Sequence, residues 1–340
     1  MDRSHITVDL RALRRNVATL LRKLDGAELW AVVKADGYGH GAPDVARAAL
    51  EAGATALCVA TVAEALSLRD DFRGARLIVL GPALAGEEVA RAREARVELA
   101  VSGGEMPEGV RVHLKLETGM GRYGLSELPR PGGNVVGLMT HLATADSDER
   151  FARKQLARFL AATAELTHVT RHAANSAAVL RLPEARLDAA RCGIALYGLS
   201  PFGTDPADDG LEPVLSWSSA LAQAKLLRAG ESTGYGRRFV AERDTWIGLV
   251  PVGYADGFRR DMTGTEVLVA GEPRRAIGTV SMDSFAVELD RELPVGTPVV
   301  LVGDRVLVEA HARVADTINY EVVCGIDADP RRARRTVVDG

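Results

Sequence analysis

Lys34 is the side chain best placed by its neighbours to do chemistry. It ends the apolar run Leu29-Trp30-Ala31-Val32-Val33 and opens a stretch in which Gly37, Gly39 and Gly41 alternate with Tyr38 and His40. A lysine amine whose pKa is lowered by its surroundings attacks carbonyl groups and carries protons. Further along stand Lys115, then Arg122 within ETGMGRYG, His141 within THLATAD, and His172, Asn175 and Ser176 within RHAANS. Arg191-Cys192-Gly193-Ile194 completes the set. Each has a plainer reading. Lys34 is equally the solvated end of a strand, an arginine after a strand is usually a surface residue, and His172 reads as a satisfied core histidine.

The elements that must position these groups shift the balance. Apolar runs at Trp30–Ala35, Ala56–Thr61, Arg76–Leu80, Glu98–Val101, Val110–Glu117, Val135–Leu142, His168–His172 and around Leu187–Ala190 read as strands. Amphipathic segments at 10–24, 43–52, 62–70, 87–94 and 148–166 read as helices between them, the first capped by Asp9. Eight strands alternating with helices predict a (β/α)8 barrel, whose chemistry sits at the carboxyl ends of its strands. Two connections, Val101 to Val110 and Gly121 to Val135, are too short and too rich in Gly and Pro for a crossover helix. Either they are reduced to turns or the strand count is off by one. In a barrel all the groups above converge on one mouth. There Ser176 and the amides of Gly193 and Ile194 offer what a phosphate needs, and a nucleophilic lysine beside a phosphate site points to pyridoxal phosphate.

The segment PFGTDPADDGLEP, Pro201 to Pro213, is the clearest boundary. The predicted organisation is a short strand at 1–9, a barrel at 10–200, a linker at 201–213 and a mostly β domain at 214–340. In that last domain Leu215–Leu227, Thr245–Val252, Glu266–Val269, Ser284–Leu289, Val299–Val302 and Tyr320–Ile326 read as strands, and only Val308–Ala315 as a helix. A length of 340 residues accommodates both domains, and a net charge of −4 gives no sign of a nucleic-acid partner. The chain has no run of 18 uncharged apolar residues and no signal-like amino terminus, and its three scattered cysteines lack metal spacing. These features predict a cytoplasmic protein with no membrane partner and no metal. Tyr254, between glycines in VPVGYADGF, and Met282 in GTVSMDS read on their own as core residues.

Taken in order, AVVKADGYGHG, KLETGMGRYG, THLATAD, HAANS, RCGIALYG, VPVGYADGF, GTVSMDS and TINYEV resemble the alanine racemases among fold-type III pyridoxal-phosphate enzymes. The likeness runs nearly end to end. It implies that the short first strand belongs to the β domain, and that the enzyme is a homodimer with shared active sites. It implies that Lys34 holds the cofactor and is one of two catalytic bases, with Tyr254 of the other protomer as the second. Arg191 then bonds the pyridine nitrogen and His141 bonds that arginine. Tyr38, Ser176, Tyr320 and the amides of Gly193 and Ile194 hold the phosphate, with Asn175 beside them. Arg122 meets the cofactor's phenolic oxygen and the substrate carboxylate, which also meets the Met282 amide. Lys115, in the carbamylated form found in many members, orients Arg122. The implied activity is interconversion of L- and D-alanine for peptidoglycan. Alternatives are a racemase of broader specificity, a non-catalytic carrier, which would lack the β domain, and a decarboxylase, whose cysteine motif is missing. Ser281 stands where many members have cysteine.

Overall fold

The computed structural model describes residues 3–83, 86–166, 168–303 and 305–339. The chain divides into two compact units, one of Leu13–Phe202 with Asp209–Leu211, the other of Met1–Ala12, Gly203–Asp208 and Glu212–Gly340.

The first unit is the expected barrel of eight parallel strands. Glu28–Val32, Ala56–Val59, Leu77–Val79, Glu98–Val101, Val112–Lys115, Val135–Met139 and Thr170–His172 follow one another around the sheet, and Ala189–Cys192 pairs back onto the first. The seventh and eighth strands share no regular ladder, yet Asp188 and Arg191 donate their amides to the Arg171 and Ala174 carbonyls at 3.1 and 3.0 Å and all but close the ring. Strand count therefore holds. Both short connections have turns in place of crossover helices. Continuous apolarity is explained by burial on both faces, with Leu29, Trp30 and Ala31 fully enclosed. Helices start where the side chains allow. Asp9 accepts from the Arg11 and Ala12 amides, and Thr61 and Glu64 form a reciprocal capping box before Val62–Arg69.

The second unit is built on a nine-stranded sheet that runs from Gln223–Leu227 at one edge to Arg334–Val338 at the other. Ser4–Asp9 lies next to that last strand and parallel to it, with Ile6 and Val8 buried. One sequence reading is corrected here, and two strands that it did not contain are added. Tyr320–Ile326 is not a strand, because Asn319–Cys324 is helical, with Asn319, Val322 and Val323 turned inward at helical spacing. The strand Glu272–Ile277, too polar to be recognised, hairpins onto Glu266–Val269 through Ala270 and Gly271, both at positive φ as a tight two-residue turn requires. The strand Arg334–Val338, of which the sequence reading made nothing, is the sheet's edge. Among the described residues no helix is long and apolar enough to cross a membrane.

Candidate active site

After Lys34 the backbone makes a left-handed turn. Ala35, Asp36, Gly37 and Tyr38 all have φ between 50° and 62°, and the glycines account for only part of it. The left-handed conformation costs a non-glycine residue roughly 1–2 kcal/mol, so three in one turn need outside support. Support comes from one side chain inside the motif and from others outside it. Glu64, while capping its own helix, accepts the Ala35 amide at 2.8 Å, and Asp36 accepts the Ala42 amide at 2.8 Å. Tyr38 lies against Tyr197, ring centroids 4.8 Å apart, and Tyr197 donates to the Val32 carbonyl at 2.9 Å. The turn thus delivers a half-buried Lys34 and a buried Tyr38 from one strand end.

Tyr38 leads to the last strand. A Cβ placed on Gly193 would sit 2.4 Å from the Tyr38 hydroxyl, so only glycine lets that hydroxyl reach the backbone. The Ser176 hydroxyl meets the same place, accepting from the Gly193 amide at 3.1 Å and the Ala195 amide at 3.4 Å. Two hydroxyls and the first amides after a strand form a cradle that matches a phosphate in donor type. Asn175 is next to it but occupied, its side-chain oxygen capping Ser176–Arg181 through the Ala178 amide at 3.0 Å.

Arg191 is fully buried and held by four acceptors: Nδ1 and the carbonyl of His172 at 2.7 and 2.8 Å, and the carbonyls of Thr140 and Ala173 at 2.8 and 3.3 Å. The histidine bonded to this arginine is His172, whereas the resemblance assigned that part to His141. Burial brings the Arg191 guanidinium down to about 10, which leaves it charged. His141 lies within reach of its field. Burial, then the charges of Arg191, Lys115, Arg122 and Lys34, push His141 down to about 3, so it is neutral at physiological pH. Gln155 joins its loop to the neighbouring one, accepting from the Ala143 amide at 2.8 Å and donating to the His141 carbonyl at 3.2 Å and the Thr118 hydroxyl at 3.3 Å.

Lys115 ends the fifth strand. Burial, then Arg122, Arg191 and Lys34 against the opposing pull of Glu117, bring its ammonium down to about 8. Glu117 cannot give its whole charge to these cations, because its carboxylate accepts the amides of Gly119, Gly121 and Arg122 at 2.5, 3.1 and 3.4 Å. Among the described residues no carboxylate pairs with the side chain of Lys115 or Arg122. Among the described residues, Lys115, Arg122 and Arg191 stand close to one carboxylate, and that one is committed, so this side of the mouth is short of negative charge. A ligand carrying phosphate, phenolate and carboxylate groups supplies what is missing, so the residues present fit pyridoxal phosphate with an amino-acid substrate.

The second unit gathers the remaining predicted residues in one corner of its own. The Tyr254 amide donates to the Ser281 carbonyl and the Ala255 amide to the Met282 carbonyl, both at 3.0 Å, so VPVGYADGF and GTVSMDS pack as a pair. Asp256, buried, accepts the Gly253 amide at 2.8 Å and pairs with Arg332 at 2.8 Å and Arg3 at 3.3 Å. Phe258 stacks on Phe285 with centroids 4.1 Å apart. Anchored on both sides, Tyr254 and Met282 are nonetheless 43% and 53% exposed, so neither is the core residue its sequence suggested. Tyr320 rides on the helix that follows, tied to this corner by an Arg259–Glu321 ion pair. The residues that the sequence did not flag are Glu64, Thr140, Gln155, Tyr197 and His113, the partner of His172. All are held by partners distant in the chain, which no local signal in the sequence reveals.

Known proteins share both halves. The family model of the alanine racemase N-terminal domain matches residues 8–201, and that of the alanine racemase C-terminal domain residues 214–335. Alanine racemase 1 of Bacillus subtilis is 42% identical over 352 residues, covering 94% of this chain and 90% of that protein. The biosynthetic alanine racemase of Pseudomonas aeruginosa has a crystal structure that superposes with a TM-score of 0.93 at 36% identity, covering all of both chains. A crystal structure of the Bacillus anthracis enzyme with bound L-Ala-P gives 0.86 at 33% identity, covering 100% of this chain and 96% of that one.

Proposed function

From a chain that belongs to the alanine racemase family, a pyridoxal-phosphate enzyme interconverting L- and D-alanine, we infer a two-base site shared between two protomers. The observation that carries it is the split found above. Lys34, Arg191, Ser176 and Gly193 converge in the barrel unit, while Tyr254 and Met282 are presented, exposed, by the other. An exposed tyrosine and methionine on rigid anchors suit a site belonging to another chain, and the homodimer is read from that. Such a racemase supplies D-alanine for peptidoglycan, and we place it in the cytoplasm.

Inverting Cα requires a proton to leave one face and another to arrive on the opposite face, so two groups must stand on either side. When bound, pyridoxal phosphate supplies an electron-accepting ring that makes the Cα proton acidic. Lys34 holds the cofactor and then holds the proton of one face, and Tyr254 holds that of the other. Tyr38, Ser176, Tyr320 and the Gly193 and Ile194 amides hold the phosphate, with Asn175 fixing the helix beside it. Arg191 would bond the pyridine nitrogen of the bound cofactor, with neutral His141 alongside. Arg122 and the Met282 amide orient the substrate carboxylate. Racemisation assayed over a panel of L-amino acids tests this reading: alanine is expected to lead, comparable rates on long or basic side chains would favour the broad-specificity alternative, and no activity on any would sink the assignment.

Lys115 has the surroundings of a carbamylated lysine. An ammonium brought down to about 8 leaves free amine near neutral pH, and a free amine takes up carbon dioxide to give a carbamate and a proton. The conversion turns a cation into an anion beside Arg122, in a mouth short of negative charge. Protein equilibrated with 13C-bicarbonate is expected to show one carbamate resonance that Lys115→Arg removes. A native spectrum without it overturns this assignment.

A further inference from the structure

From Arg191 a single file of polar groups runs through the barrel away from the mouth, toward the amino-terminal ends of the strands. His172 accepts from Arg191 at Nδ1, 2.7 Å, and its Nε2 lies 2.9 Å from Nδ1 of His113. Nε2 of His113 lies 2.8 Å from a Glu98 oxygen, and Glu98 is paired in turn with Arg76 at 2.8 Å and Arg111 at 3.2 Å. Both histidines are fully buried and Glu98 nearly so. The barrel is shaped around them. A Cβ on Gly137 would stand 1.9 Å from Nδ1 of His113, and Trp30 packs against both imidazoles with centroids 5.6 and 4.5 Å away.

The ends of the file decide where its protons are. An arginine can only donate, so Nδ1 of His172 must be a bare lone pair and its Nε2 must carry the hydrogen. That hydrogen requires a bare Nδ1 on His113, whose Nε2–H then points at a carboxylate, which can only accept. One arrangement satisfies every contact with both rings neutral. Burial, the leading influence on each, pushes both histidines below their ordinary value, while His113 and Arg76 hold Glu98 below its own despite burial. In the opposite tautomer His172 would turn an N–H toward the guanidinium, a buried clash of donors.

We propose that His113 and Glu98 are positioning residues for Arg191. Glu98 orders the tautomer of His113, His113 orders that of His172, and His172 so ordered always presents an acceptor to the guanidinium. This rests on the reading that Arg191 faces the cofactor's pyridine nitrogen. The file fixes the direction of the Arg191 N–H groups from below, through a route that touches neither cofactor nor substrate.

Nitrogen-15 NMR of histidine-labelled holoenzyme reads the tautomers directly. His172 and His113 are both expected with hydrogen on Nε2 in the native protein, and either ring found with hydrogen on Nδ1 overturns the proposal even if no variant folds. His113→Phe keeps the bulk but offers His172 no acceptor. It is expected to mix the His172 tautomers, to shift the visible absorption of the bound cofactor, and to lower kcat about tenfold, the order lost when an outer partner that orients a functional ligand is removed. His113→Asn, whose side-chain oxygen stands near the place of Nδ1, is expected to recover most of that loss. A folded His113→Phe protein with native tautomer and native kcat overturns the proposal. Arg191→Lys separates the two layers. If it leaves the absorption and kcat unchanged, the pyridine assignment falls and the proposal with it, whereas a change there without one in His113→Phe rejects the file alone.

Discussion

Lys34→Ala is expected to lose racemisation by about 10^4-fold or more, because on the proposed two-base reading one substitution removes both a proton-transfer group and the amine that would hold the cofactor. Borohydride reduction followed by peptide mapping should attach the cofactor to the Lys34 peptide in the native protein and to no peptide in the variant. The two roles separate on adding a small primary amine. An exogenous amine that fits the space left by the side chain restores part of the rate by replacing the proton carrier, with a dependence on its pKa, while the cofactor stays exchangeable. A variant that still yields a covalent adduct, or that keeps more than about a hundredth of the native rate, a loss smaller than the upper range for one acid–base group, removes Lys34 from the centre of the site. The fold should survive. The left-handed turn after Lys34 is held by Glu64 and Asp36 on backbone amides, and none of those bonds uses the lysine side chain.

That turn shows where sequence reasoning reaches and where it stops. Alternation of strand and helix signals yielded the barrel because each strand is buried on both faces and each helix on one, and burial is written in composition. The alternating glycines after Lys34 mark the end of the strand, and the chain does turn there, but the left-handed conformation of Ala35, Asp36 and Tyr38 runs against their own preference. Residues far along the chain impose it. The helix Asn319–Cys324 was read as a strand because Val322 and Val323 are β-branched, a weak local bias outweighed by burial of Asn319, Val322 and Val323 on one helical face and by the Asn319 bond to Glu309 at 2.9 Å. His172 read as a satisfied core histidine. It is buried and satisfied, but what satisfies it is Arg191 on one side and His113, 59 positions earlier, on the other. Tyr254 and Met282 erred in the opposite sense, since a tyrosine between glycines and a methionine two residues after Val280 look like core and nothing local reveals that they are presented outward.

Tyr254→Phe deletes one oxygen, and a loss of about 10^2–10^4-fold is expected for one of two proton carriers. Because L- and D-alanine have equal free energy, kcat/KM must fall equally in both directions whatever the variant, so rates alone cannot say which face Tyr254 serves. Exchange can. In deuterated water Tyr254→Phe should still exchange the Cα proton of the one enantiomer whose proton faces Lys34, without inverting it, and leave the other untouched. Equal exchange of both enantiomers would mean a single base reaching both faces. The sharing of sites is read by mixing. Lys34→Ala and Tyr254→Phe proteins are each nearly inactive, yet a dimer of one of each contains one site with Lys34 from the second and Tyr254 from the first. If protomers exchange at random in a two-fold symmetric dimer, half the dimers are mixed and about one quarter of native activity returns, with no new contact needed. If each protomer carries its own Tyr254, every site in the mixture lacks a base and nothing returns. The exposure of Tyr254 on a corner braced by Asp256, Phe258 and Met282 is the reason to expect the quarter.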